Sequence, residues 1–133
     1  MIREFLSQAC TELDLPTPAL NERKAFPFVL GKEVEVEIRD LEPGVSFFSK
    51  MCLCPVKARE DLFMVLMRAN YLGQSTGATR IGMSGDEKYL TLSSSMPYEL
   101  NYRTFRESLE DFINFLLYWR EEVEKFKDKE TLL

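Results

Sequence analysis

The sequence contains no histidine among its 133 residues. That absence excludes Ser-His and Cys-His nucleophile pairs and every histidine-ligated metal site. Cysteine is scarce too: three residues, an odd number, argue against a disulfide framework and fit a reducing cytoplasm. Positive charge is in deficit, with 17 Lys and Arg against 22 Asp and Glu, a net charge of −5. An acidic surface repels phosphate backbones and anionic headgroups, so neither nucleic acid nor a membrane surface is an expected partner. No apolar run approaches the roughly 18 residues of a membrane span. The longest, Phe112 to Trp119, is short and flanked by charge. The start, Met1-Ile2-Arg3-Glu4, lacks the basic-then-apolar pattern of a signal peptide, so none is expected. Internal repeats and low-complexity tracts are missing as well.

What is present suits one globular domain over residues 1–133. A chain of this length buries roughly two-thirds of its unfolded surface, enough for a core without staples. Hydrophobic content of 45% and charged content of 29% are ordinary for such a domain.

Ile2, Phe5, Leu6, Ala9, Cys10 and Leu13 recur at helical spacing and predict an amphipathic first helix. Pro16 and Pro18 stop it and begin a connector through Lys24. Phe26 to Leu30 predicts a short strand. Pro27 has no amide to donate to a ladder, so this strand is expected at a sheet edge. After a Gly31-Lys32 turn, Glu33 to Arg39 alternates strictly, with Val34, Val36 and Ile38 on one face and Glu33, Glu35, Glu37 and Arg39 on the other. Glu42-Pro43-Gly44 is a turn, and Val45 to Val56 a third strand with both faces partly apolar, through Phe48, Cys52 and Cys54 on the second.

Arg59 to Leu72 predicts a second helix whose centre, Leu62 to Met67, is apolar around its circumference. One side must face the core. The other is either buried inside the monomer or, as favoured in a chain with so few covering elements, an oligomer contact. Gly73 to Gly77 reads as a loop. Thr79 to Met83 and Tyr89 to Ser93, around Ser84-Gly85-Asp86-Glu87, predict a hairpin. Asn101 caps a final helix over Tyr102 to Lys127, with Phe105, Leu109, Phe112, Leu116, Trp119, Val123 and Phe126 as its buried stripe. Asp128 to Leu133 is expected to fray. The fold class is therefore α+β, an antiparallel sheet flanked by helices in the order α-β-β-β-α-β-β-α.

Candidate chemistry is thin. Gly73 to Arg80 resembles a phosphate loop only faintly, following a helix and lacking the lysine. Cys52 and Cys54 share a strand face, but zinc takes four ligands and only Cys10 could add a third thiolate, so a packing role is expected and no metal. Glu33, Glu35 and Glu37 read as a solvated strand face rather than an acid–base pair. No catalytic residue, cofactor or enzymatic activity is expected.

The element order, with Ile81-Gly82-Met83, Gly85-Asp86, Leu90-Thr91-Leu92, Met96-Pro97 and the aromatic helix Leu109 through Trp119, resembles the class I type III secretion chaperones, the family of the Tir effector chaperone. The resemblance implies a small, dimeric, non-catalytic protein of the bacterial cytoplasm. It places Phe63, Val65, Leu66, Met67, Ile81 and Met83 at a dimer interface, with a second copy or a related chaperone. It implies that a secreted effector binds in extended form along the first helix and sheet, at Ile2, Phe5, Leu6, Phe28, Val34, Val36 and Phe48, partly by adding a strand to a sheet edge. The alternative it leaves open is a regulatory adaptor that binds a transcription or secretion regulator.

Overall fold

The structure, a computed structural model, describes residues 1–57, 59–71 and 79–131, with side chains through Lys127. The expected loop at Gly73–Gly77 lies outside the described residues, as does the phosphate-loop-like stretch Gly73 to Arg80 except for Thr79 and Arg80. The elements are α1 (Ile2–Glu12), β1 (Phe26–Leu30), β2 (Val34–Asp40), β3 (Val45–Leu53), α2 (Arg59–Asn70), β4 (Arg80–Met83), β5 (Tyr89–Met96) and α3 (Tyr102–Thr131). The strands form one antiparallel sheet in the order β1-β2-β3-β5-β4. β1 is an edge strand, where its proline is tolerated.

Strand alternation puts Phe26, Phe28, Val34, Val36, Ile38, Val45, Phe47, Leu90 and Leu92 on one buried face. α1 covers it with Ile2, Leu6, Ala9 and Cys10; α3 covers it with Phe105, Leu109, Phe112, Leu116, Trp119 and Val123. The ring of Phe47 stands 6.0 Å from Phe105 and 5.5 Å from Phe112, both tilted. Such aromatic pairs contribute about 0.5–1.5 kcal/mol each beyond their buried area. The amide of Thr104 donates to Asn101 Oδ1 at 2.8 Å, satisfying an orphan donor at the start of α3. In the turn between β2 and β3, Gly44 has φ +99°, and a Cβ there would lie 2.8 Å from the Tyr98 nitrogen, so only glycine fits.

Several details differ from the sequence pattern, among them β5, which runs on past Ser93 to Met96. β3 ends at Leu53, and a bulge between Lys50 and Cys52 reverses the alternation, so Leu53 is exposed and Cys54 buried. α3 continues past Lys127 to Thr131, so the segment expected to fray is helical up to that residue. In the β4–β5 turn the left-handed residue is Glu87 (φ 61°), not the glycine. The turn is pinned by Ser84 and by Asp86 Oδ1, which accepts from the Lys88 amide at 3.1 Å. The Ser84 hydroxyl and the Lys88 amide together hold the Asp86 carboxyl below its ordinary pKa.

Candidate protein-interaction site

α2 is not swallowed by the monomer. Leu62, Leu66 and Ala69 point into the core, while Met64, Val65 and Met67 remain 55%, 44% and 70% exposed. The helix stands as a ridge between two apolar grooves. One, of about 230 Å³, is lined by Phe63, Leu66 and Met67 with Ile81 and Met83 of β4. The other, of about 280 Å³, runs between α2 and α3, past Leu62, Val65, Leu66, Trp119, Val123 and Phe126. The structure thus gathers five of the six residues expected at a dimer interface in the first groove and Val65 in the second. Leu66 and Ile81 are buried groove floor; Met67, Met83 and Val65 are the exposed rim.

The residues expected to hold a client are dispersed. Ile2, Leu6, Phe28 and Val36 are buried in the core, because the α1 stripe and the inner sheet face are spent on each other; Val34 is buried too, but it lines a surface cleft together with Phe48. Phe5 is half-buried, its ring 5.7 Å from Phe105 and 6.0 Å from Tyr102. The Tyr102 hydroxyl donates to Glu12 Oε2 at 2.9 Å. Burial first, then this bond, raises the pKa of the hydroxyl. Phe48 is half-buried on the opposite, helix-free face of the sheet. The structure therefore separates Phe5 from Phe48.

Phe48 instead belongs to a cleft of about 350 Å³ that reaches from the β1 edge across β2 to β3, lined among others by Val29, Glu35, Glu37, Phe48 and Lys50. It exists because the β2–β3 ladder is paired only over Glu37–Asp40 and Val45–Phe48. Beyond that, the carbonyl of Glu35 accepts from Ser49 Oγ at 2.8 Å. The guanidinium of Arg120, reaching over from α3, donates to the carbonyls of Glu33 and Met51. These side chains supply the hydrogen bonds that the parted strands no longer give each other. Arg23 and Arg39 both pair with Glu37, and the Lys50 ammonium sits 4.6 Å above the Tyr89 ring. Val29 is 51% exposed on the outer strand.

The two sheet edges differ. At β4, the Asn70 side chain occupies the edge: its Nδ2 donates to the Ile81 carbonyl at 2.8 Å, and the Ile81 amide donates to its Oδ1 at 2.9 Å. A side-chain amide thus makes the paired bonds of a neighbouring strand. β1 is bonded to β2 on one side, and no side chain bonds the backbone of its five residues among the described residues. Sequence reasoning missed Asn70, Arg120 and Val29; the one signal was an unpaired apolar valine on the polar face of an edge strand.

Cys10 and Cys54 are buried and Cys52 half-buried, all as free thiols. Burial pushes the Cys10 and Cys52 thiols above their ordinary pKa. Among the described residues no group of three or more His, Cys, Asp or Glu could hold a metal ion. No helix among them is long and apolar enough to cross a membrane.

This helix–sheet arrangement is the fold of the class I type III secretion chaperones. The chain superimposes on a chain of the HopA1–SchA chaperone–effector complex with a TM-score of 0.68 and 11% identity, over 90% of this chain and 93% of that one. Against the ExsC–ExsE complex the TM-score is 0.73 at 15% identity, over 90% and 91%. Against the Yersinia pestis type III secretion chaperone SycH in complex with a stable fragment of YscM2 it is 0.64 at 17% identity, over 89% and 98%. Compared by sequence, the chain matches no protein-family model and no curated protein.

Proposed function

We propose that the chain is a cytoplasmic type III secretion chaperone, which holds a segment of a secreted effector in extended form. The observation that carries this reading is the likeness of fold over about nine-tenths of the chain to solved chaperone complexes. The edges support it in detail. With β4 occupied by Asn70, an extended segment adds its strand at β1 and places side chains in the cleft past Val29 and Phe48. Backbone hydrogen bonds then supply affinity that depends little on client sequence, and the cleft supplies selectivity. Burying three or four apolar side chains at roughly 1.5–3 kcal/mol each, less the cost of ordering the segment, suits micromolar or tighter binding. Binding free energy alone keeps the segment unfolded, so no nucleotide or catalytic group is required.

The exposed ridge of α2 and its two grooves serve as the contact with a second subunit. Affinity purification of the chain from its native cells, with identification of what co-purifies, tests the proposal. A secreted protein retained through an unfolded segment is the expected result; a transcription or secretion regulator would select the adaptor alternative, and no protein partner would overturn both.

A further inference from the structure

The β2–β3 ladder stops where its register would still carry it. At the turn, the Leu41 amide donates to the Gly44 carbonyl at 3.0 Å. Antiparallel pairing alternates, so counting by twos makes Arg39–Ser46 and Glu37–Phe48 the next hydrogen-bonded pairs. Glu35–Lys50 would follow, each amide donating to the other's carbonyl. That rung is missing, because the ladder ends at Glu37 and Phe48. Both carbonyls it would use are taken by side chains instead. The Glu35 carbonyl accepts from the Ser49 hydroxyl at 2.8 Å, and the Lys50 carbonyl lies 3.5 Å from Arg120 Nη2. The same guanidinium donates to the Glu33 carbonyl on one strand and the Met51 carbonyl on the other. The bulge between Lys50 and Cys52 accounts for two successive carbonyls of β3 reaching one guanidinium.

A guanidinium has five donors and no acceptor, so it serves carbonyls of two strands at once but cannot complete a ladder between them. Ser49 is 2% exposed, so its bond to Glu35 is sheltered from water. Closing the rung would satisfy the Glu35 and Lys50 carbonyls with no side chain at all. The fold commits a buried serine and an arginine of α3 to the parted arrangement, and the cleft past Val29 and Phe48 is what that arrangement leaves. We propose that Ser49 and Arg120 are positioning residues for client binding: they hold the Glu35–Lys50 rung open, and the cleft that receives the client's side chains exists only while they do. The proposal rests on the reading of that cleft as the client site, and adds what keeps it open.

A full-length chain carrying Ser49→Ala and Arg120→Met tests it on two readouts. Without the two donors, the carbonyls are satisfied by closing the rung. The Glu35 and Lys50 amides, followed by NMR, should then exchange with deuterium at least about ten-fold more slowly than in wild type. A merely structural role for the pair would make these amides exchange faster, not slower. The second readout is calorimetry with a synthetic peptide of the segment that the chain shields from trypsin in its co-purified protein; the Kd should rise about ten-fold. Arg120→Lys alone keeps a charged donor and should leave both readouts within about three-fold of wild type. Should the double variant fail to fold, Ser49→Ala and Arg120→Met are read singly, each expected to move both readouts in the same direction by about three-fold. Amides no slower than in wild type overturn the proposal, whatever the peptide does. Slower amides with unchanged peptide affinity overturn the role in client binding while leaving the closure of the rung. A wild-type chain that binds no such peptide, with the variant's amides slowed, overturns the cleft as the client site rather than what holds it open.

Discussion

Asn70, the last residue of α2, is bonded twice to the backbone of Ile81 on β4: its amide nitrogen donates to the carbonyl and its amide oxygen accepts from the N–H. One side chain thereby ties the helix to the sheet, occupies that sheet edge and lines the groove beside Phe63 and Met83. Asn70→Ala should leave both Ile81 groups without partners and cost about 1–3 kcal/mol. Urea unfolding followed by circular dichroism measures this directly; an unchanged midpoint would show that solvent replaces the amide at no cost. Asn70→Asp keeps the acceptor but loses the donor and should fall between the two.

The two sides of α2 predict opposite outcomes for one chemical change. Val65→Asp sits on the exposed ridge and should weaken subunit association while the chain stays folded. Leu66→Asp lowers a charge into the core beneath both grooves, where it is 5% exposed, and should unfold the chain. Light scattering and circular dichroism together separate these results.

The cysteines should behave as packing residues. Because burial raises the Cys10 and Cys52 thiols, the reactive thiolate is depleted at neutral pH, and alkylation should be several-fold slower than in the urea-unfolded chain. The linked effect on stability has a definite sign: a thiol raised in the folded state adds stability below its unfolded pKa. That stability is lost as pH climbs through the ordinary thiol range towards the raised value. Replacing Cys52 with serine should leave client binding within a few-fold and introduce no dependence on zinc.

Phe5 and Val29 form a second contrasting pair. Phe5→Glu disturbs the ring cluster with Tyr102 and Phe105 and should cost roughly 1–3 kcal/mol of stability. Val29→Glu lies on an exposed strand surface and should shift stability by no more than about 0.5 kcal/mol. It should nonetheless weaken binding of a client segment about ten-fold, because it places a charge beside Glu35 and Glu37 in the cleft. Isothermal calorimetry with a peptide from the co-purified client decides; full affinity in Val29→Glu and Phe48→Glu would move the client elsewhere.

Periodicity made the order of elements legible. Strict alternation in β2, three- and four-residue spacing in α1 and α3, Pro27 in an edge strand and the Asn101 cap all follow from local rules that the structure obeys. Periodicity could not say what an apolar stripe faces. Ile2 and Leu6 on α1 have the same pattern as core or as groove, and only the position of α3 and the sheet makes them core. The circumference of α2 was informative for the opposite reason: one helix cannot bury every side against one core. The Asn70–Ile81 pair, the Arg120 bridge and the parting of β2 from β3 join residues distant in sequence, and no local pattern announces them. The bulge near Met51 was equally silent, and it moved Cys54 from the expected outer face to the core.

The central claim, that this chain keeps a secreted protein ready for export, is tested most directly by secretion itself. The chain is deleted from its native cells, and the protein that co-purifies with it is measured in the culture supernatant. The account predicts that export of that protein falls at least about ten-fold. Wild-type chain should restore it, and chain carrying Val29→Glu and Phe48→Glu together should not. Undiminished export after deletion, or equal rescue by the folded double variant, would contradict it.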